Sequence, residues 1–181
     1  MKLQTIVIHN DNELGAAGYA NKNMASISTY KYDYLFAVHE LGHSLLELGD
    51  EYSYSLGSTA ETKPNCEVEN CPKWLDLDTH LKSEGRLCQS RGCSDKSGYI
   101  GTSSFMHNVF DDIGEVNLRY SCCTHIALTQ NMPGYCAKYD FGQGGLLAYC
   151  QNNYQGYGGQ LAYLPISHTD IDIIPPVFDD V

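Results

Sequence analysis

Residues His39-Glu40-Leu41-Gly42-His43-Ser44-Leu45-Leu46-Glu47-Leu48-Gly49-Asp50-Glu51-Tyr52 carry the densest chemical signal in the chain. Tyr34, Leu35, Val38, Leu41, Leu45 and Leu46 recur at helical spacing, which predicts a helix over residues 31 to 48. Asp33 falls in its first turn, where a carboxylate meets the positive end of the helix dipole. Gly42 costs a helix about 1 kcal/mol relative to alanine, so its presence implies a close packing partner. Gly49 reads as the stop, because glycine accepts the left-handed backbone common at helix ends.

Residues four apart on a helix share a face. His39 and His43 therefore point the same way, and two imidazoles one turn apart can hold one zinc ion. Glu40 lies beside them, placed to take a proton from a zinc-bound water; H-E-x-x-H is the spacing of zinc metallopeptidases. The competing reading is an amphipathic helix with two surface histidines. A catalytic zinc takes three protein ligands and a water, and the nearby candidates are Glu47, Asp50 and Glu51. On an unbroken helix Asp50 would lie ~10 Å along the axis from His43. The helix must break for Asp50 to reach, and Gly49 is the expected break. Glu47 shares the histidine face but its Cβ points away, so it is read as supporting or solvated. Asp50 is the expected third ligand and Glu51 the fallback.

The stretch from His39 to Tyr52 resembles the active-site segment of the igalysins, the IgA-peptidase branch of the metzincins. In that family an H-E-x-G-H-S start is followed by a D-E-Y end. The strand-like Thr5-Ile-Val-Ile8, the turn Gly15-Ala-Ala-Gly18 and the strand-like Ala25-Ser-Ile-Ser28 are similar to the stretch upstream of the family's zinc helix. Ser103-Ser-Phe-Met106 resembles the Met-turn beneath the zinc, and Ile113-Gly-Glu-Val-Asn117 the start of the next helix. The resemblance spans roughly residues 3 to 130. It implies an α+β, metzincin-like zincin domain with a short N-terminal sheet, a zinc helix, a Met-turn, a C-terminal helix and disulfide-stapled loops. It implies zinc held by His39, His43 and Asp50, with Glu40 as general base and Met106 as an apolar floor. The activity implied is endopeptidase cleavage of a protein or peptide, without identifying the substrate. Two departures stand out. The general metzincin pattern places glycine and the third ligand at the positions of Leu46 and Gly49, one residue before Asp50. Only 38 residues precede His39, fewer than a metzincin normally has, which implies a fragment or a minimal version of the fold.

Composition agrees with one small domain over residues 1 to 181, read as sheet and zinc helix (3–52), cysteine-rich loops, Met-turn and helix (53–131), and a Gly/Tyr-rich extension (132–181). Net charge is −11, with no basic cluster to neutralise phosphates, which argues against nucleic acid and anionic membranes. The acidity reads first as a solvated surface, with bound calcium or a cationic substrate as alternatives. No stretch approaches the roughly 18 apolar residues of a membrane helix, and no signal peptide is visible.

Eight cysteines point to disulfides, an oxidising compartment and secretion. Cys66–Cys71 and Cys88–Cys93 share a spacing, so two small closed loops are conceivable, while adjacent Cys122 and Cys123 should take different partners. A structural zinc on cysteines is the rival reading. Residues 3 to 30 read as two strands, with an edge near Ser26–Ser28; residues 53 to 102 read as one long loop. Residues 115 to 130 read as a second helix, with Val116, Tyr120, Cys123 and Ala127 on one side. No period is visible beyond residue 132. Tyr52 and Tyr120 are candidate oxyanion donors. His107 reads as a turn histidine, and His9, His80, His125 and His168 receive no role. Two alternatives to a peptidase remain: a disulfide-rich binding module with a vestigial zinc site, and a zinc hydrolase of another substrate class.

Overall fold

The computed structural model describes residues 5–10, 19–21, 24–28, 33–52, 63–93, 98–101 and 104–154. Its N-terminal part is a three-stranded sheet. Strand β1 (Thr5–His9) runs parallel to β3 (Met24–Ser28), and β2 (Tyr19–Asn21) pairs antiparallel with β3. The sheet order is β1-β3-β2, so β3 is central. The polar strand ending at Ser28 was expected at an edge; it lies in the middle, with Ala25, Ile27 and Ser28 buried. The reason is β2, a three-residue strand too short to show a period of its own, which occupies the position beside it.

Helix α1 (Asp33–Leu46) packs against β3 and β2. Its most buried side chains are not those of the apolar stripe. Val38 is exposed, whereas His39, Glu40 and Ser44 are buried. Phe105 and Met106 meet the helix at His39 and Gly42, a contact between distant parts of the chain that sequence periodicity does not encode. Gly42 makes that approach possible: a Cβ there would lie 2.5 Å from Met106 Sδ and 2.9 Å from Phe105 Cε2. The close partner expected from a mid-helix glycine is thus Met106 with Phe105.

Residues 63 to 101 hold more regular structure than a single long loop. A 3-10 turn at Pro72–Trp74 leads into α2 (Leu75–His80), and β4 (Gln89–Gly92) pairs with β5 (Gly98–Ile100). Two nested disulfides, Cys66–Cys93 and Cys71–Cys88, staple this region. The two local loops conceived from equal spacing are therefore replaced by pairings that cross between the two cysteine pairs. Trp74, buried in the same apolar cluster as the Cys71–Cys88 disulfide, donates its indole N–H to the Leu87 carbonyl.

Helix α3 (Glu115–Thr129) forms where expected. Its adjacent cysteines do take different partners: Cys122 bonds to Cys136 and Cys123 to Cys150. They bind α3 to a 3-10 turn at Gly134–Tyr139 and to a further helix, α4 (Gly145–Asn153). The Gly/Tyr composition hid α4, whose nine residues show little apolar period. Of the C-terminal tyrosines, Tyr139 and Tyr154 are buried and pack in the core. Residues 155–181, with His168, lie outside the described residues. All eight cysteines are in disulfides, which removes the cysteine-zinc reading and fits an oxidising compartment. The described chain is α+β, with a small mixed sheet, and none of its helices is long and apolar enough to cross a membrane.

Candidate metal centre

Helix α1 ends at Leu46, three residues before the glycine expected to stop it. The reversal is made by Glu47, whose φ of 58° puts a non-glycine residue in the left-handed region. The Glu47 N–H still reaches the His43 carbonyl at 3.1 Å, and the Leu48 N–H turns back to the Gly42 carbonyl at 3.0 Å. Leu48 is then fully buried and holds the turn in the core. Gly49 serves a different purpose: a Cβ there would lie 2.9 Å from Lys63 Cγ and 3.1 Å from Cys66 Sγ. It is a close-packing glycine, not a left-handed one.

This reversal carries Asp50 back to the histidines. Asp50 Oδ1 lies 3.2 Å from His39 Nε2 and 3.1 Å from His43 Nε2, and the two Nε2 atoms are 3.2 Å apart. Among the described residues, these three form the grouping of His, Cys, Asp and Glu side chains able to share one ion. The structure thus brings together His39, His43 and Asp50.

The protons decide what the triangle can hold. His39 Nδ1 is 2.9 Å from the Phe105 carbonyl, and His43 Nδ1 is 2.8 Å from the Leu48 carbonyl. A carbonyl only accepts, so each Nδ1 carries the hydrogen. In the neutral imidazoles both Nε2 lone pairs then face each other and a carboxylate oxygen. Three acceptors at this spacing repel unless a cation or extra protons sit among them. Metal-binding histidines commonly donate their other ring N–H to a carbonyl in this way. A tetrahedral zinc with bonds of about 2.0–2.1 Å separates its ligand atoms by about 3.3 Å, close to the edges seen here. The donor set of two imidazoles and one carboxylate suits zinc better than calcium, which takes six to eight oxygens.

Electrostatics follow the same contacts. Burial pushes the Asp50 carboxyl up, but with Nε2 protonated the contacts with His39 and His43 and the charge of His43, together with the Tyr52 hydrogen bond, outweigh it and leave Asp50 well below the usual carboxylate range. Burial pushes His39 down, yet its bonds to Asp50 and the Phe105 carbonyl and the charges of Asp50 and Glu40 leave it raised. Glu40 is raised, chiefly by burial, against the opposing charges of His43 and His39.

Glu51 turns the other way. Its carboxylate accepts from Ser104 Oγ at 2.8 Å and from Asn65 Nδ2 and Asn117 Nδ2 at 3.1 Å each, and its N–H donates to the Met106 carbonyl at 3.0 Å. It sits inside the protein, joining the loop after α1 to three other segments, while Asp50 faces the histidines. Met106, fully buried, packs under α1 at Gly42. Ser104 closes the turn that carries it, its Oγ accepting from the Met106 N–H at 3.1 Å; Ser103 lies outside the described residues. Tyr52 hydrogen-bonds Asp50 and stacks its ring 6.2 Å from that of His39. Tyr120 lies in the core against Tyr154. Neither His107 nor Glu47 joins the cluster.

Sequence reasoning did not find Asn65, Ser104 or Asn117. Ser104 and Asn117 fall inside the stretches that resemble the Met-turn and the start of the next helix, but no role attached to their side chains, and Asn65 lies in unpatterned sequence beside Cys66. No known protein-family model matches the chain, and no curated protein matches it significantly.

Proposed function

We propose that this protein is a zinc-dependent endopeptidase of metzincin type, similar to the igalysins, acting in an oxidising, extracellular compartment. The observation that carries the reading is the convergence of His39 Nε2, His43 Nε2 and Asp50 Oδ1 within 3.1–3.2 Å, with both Nδ1 hydrogens directed to carbonyls. His39, His43 and Asp50 hold the metal. Zinc, when bound, supplies a Lewis acid that polarises the scissile carbonyl and makes water acidic near neutral pH. Glu40 removes a proton from the attacking water and passes it to the leaving amine, so that one peptide bond and one water become a carboxyl and an amine. Burial serves this role by lifting Glu40 above the ordinary carboxylate value, which makes it a stronger base toward the attacking water. The carbonyls of Phe105 and Leu48 keep both imidazoles in the tautomer whose Nε2 is free to bind. Buried Met106 keeps the underside of the ligand helix dry.

The test is Glu40→Gln. The variant should retain one zinc per chain and lose cleavage of casein or a peptide library. Cleavage at the parent rate rejects Glu40 as the base. Purified wild type that takes up no zinc favours the alternative, a disulfide-rich binding module. Zinc uptake without peptide cleavage favours a hydrolase of another substrate class.

A further inference from the structure

Asp50 is the one proposed ligand outside a helix, so something other than a helical hydrogen-bond ladder must hold it. Asn65 grips both of its neighbours. Asn65 Oδ1 accepts from the Gly49 N–H at 2.7 Å, and Asn65 Nδ2 donates to the Gly49 carbonyl at 2.8 Å. The same Nδ2 donates to Glu51 Oε1 at 3.1 Å. The amide thus pairs with the Gly49 backbone as a neighbouring strand would, satisfying an N–H and a C=O that are costly to bury unpaired. It then reaches past Asp50 to the next side chain. The missing Cβ at Gly49 is what lets this part of the chain come so close to Lys63 and Cys66.

The grip is itself anchored. Asn65 is almost fully buried, and Cys66, the next residue, is bonded to Cys93. Cys93 Sγ lies 3.9 Å from the Asn65 carbonyl oxygen. The disulfide therefore restrains the backbone from which the amide projects. The Met106 carbonyl holds Glu51 as well, but it bonds only on one side of Asp50.

We propose that Asn65, fixed by the Cys66–Cys93 disulfide, is a positioning residue that sets the Asp50 carboxylate for metal coordination. The proposal rests on the zinc reading above. A ligand on a loop loses affinity when its supporting bonds are left loose, and removal of such outer contacts weakens metal binding about 10–100-fold.

The experiment uses the full, oxidised chain, with zinc affinity from chelator competition and the thermal stability of the metal-free protein measured side by side. Asn65→Ala removes the grip. Asn65→Asp keeps the volume and the acceptor for the Gly49 N–H but loses both donated bonds, and it decides the matter if the alanine variant does not fold. Both variants should bind zinc about 10–100-fold more weakly than wild type. Added to Asp50→Ala, Asn65→Asp should cause no further loss, because the ligand it positions is gone. Lowered stability with wild-type zinc affinity overturns the positioning role, as does an equal further loss in the Asp50→Ala background. Failure of wild type to bind zinc overturns the zinc reading and this proposal with it, a result distinct from the other two.

Discussion

Alanine at Gly42 sets two effects of opposite sign against each other. In an open helix the change is favourable by about 1 kcal/mol, because glycine loses more backbone freedom on folding. At this site the new methyl would lie 2.5 Å from Met106 Sδ, 2.9 Å from Phe105 Cε2 and 3.0 Å from Phe105 Cζ. Methionine is flexible and can give, but both side chains are buried, and overpacking a closed core costs about 1–3 kcal/mol. The expected net effect is a destabilisation of up to about 2 kcal/mol, the overpacking cost less the propensity gain. In a chain of this size that lowers the melting temperature by several degrees. The Phe105 carbonyl also holds His39, so a displaced Phe105 should weaken zinc binding as well. A double-mutant cycle with Met106→Ala isolates the contact. Alone, Met106→Ala leaves a cavity and costs about 2–5 kcal/mol. Combined with Gly42→Ala it should cost less than the sum, by about 1 kcal/mol or more, because the alanine methyl enters the space vacated. Denaturant unfolding of the oxidised, metal-free protein measures all four corners. A more stable Gly42→Ala variant, or strict additivity with Met106→Ala, refutes the argument that this glycine exists for the Met106 contact.

Removing the Tyr52 hydroxyl with Tyr52→Phe takes away a hydrogen bond to Asp50. Zinc affinity should fall about 10-fold or more, and unchanged affinity by chelator competition counts against the contact. The Asp76 carboxylate, paired with Arg119 at 2.6 and 2.8 Å, lies below its ordinary value: burial raises it, and the Arg119 bonds and charge overcome that. A lowered folded-state value means that this stabilisation is present above the unfolded-state value, about 3.9, and is lost as pH falls through the folded one. Asp76→Asn should therefore be less stable than wild type at neutral pH and should converge with it in acid. A gap that stays constant down to pH 2 contradicts the assignment. Replacing both Cys71 and Cys88 by serine opens a loop with a sequence separation of 17 residues, at a cost of about 3 kcal/mol in the chain-entropy picture. Trp74, the single tryptophan, is buried beside this disulfide, so its emission should shift to the red at lower denaturant than in wild type.

Much of the site was readable in one dimension because a helix converts spacing into geometry. His39 and His43 are four residues apart, and that alone aligns them. The helix of the second cysteine pair was equally legible, and so was the separation of partners for Cys122 and Cys123, since neighbouring residues on a helix point in different directions. Asp50 is expected to approach the histidines because the helix must break ahead of it. Asp50 does converge on the histidines, but the break is Glu47 in a left-handed conformation, with Leu48 driven into the core. A glutamate in that conformation has no sequence signature, because burial of its neighbour, not its own preference, holds it there. Strand β2 and helices α2 and α4 were missed for a related reason. They are short, and disulfides and core contacts sustain them where local periodicity is weak.

Residue type and local spacing were enough to specify two imidazoles on one helical face, a carboxylate beside them, a mid-helix glycine in need of a neighbour and an oxidised set of cysteines. Tertiary structure alone decided which carboxylate faces the histidines and which faces inward, how the first four cysteines pair, and that Met106, Ser104, Asn117 and Asn65 meet around the loop of Asp50. The division follows from range. A helix repeats every few residues, so its faces are written in adjacent sequence. The support of the loop that carries Asp50 comes from side chains 14 to 66 residues away from Glu51, and only the packed core brings those together.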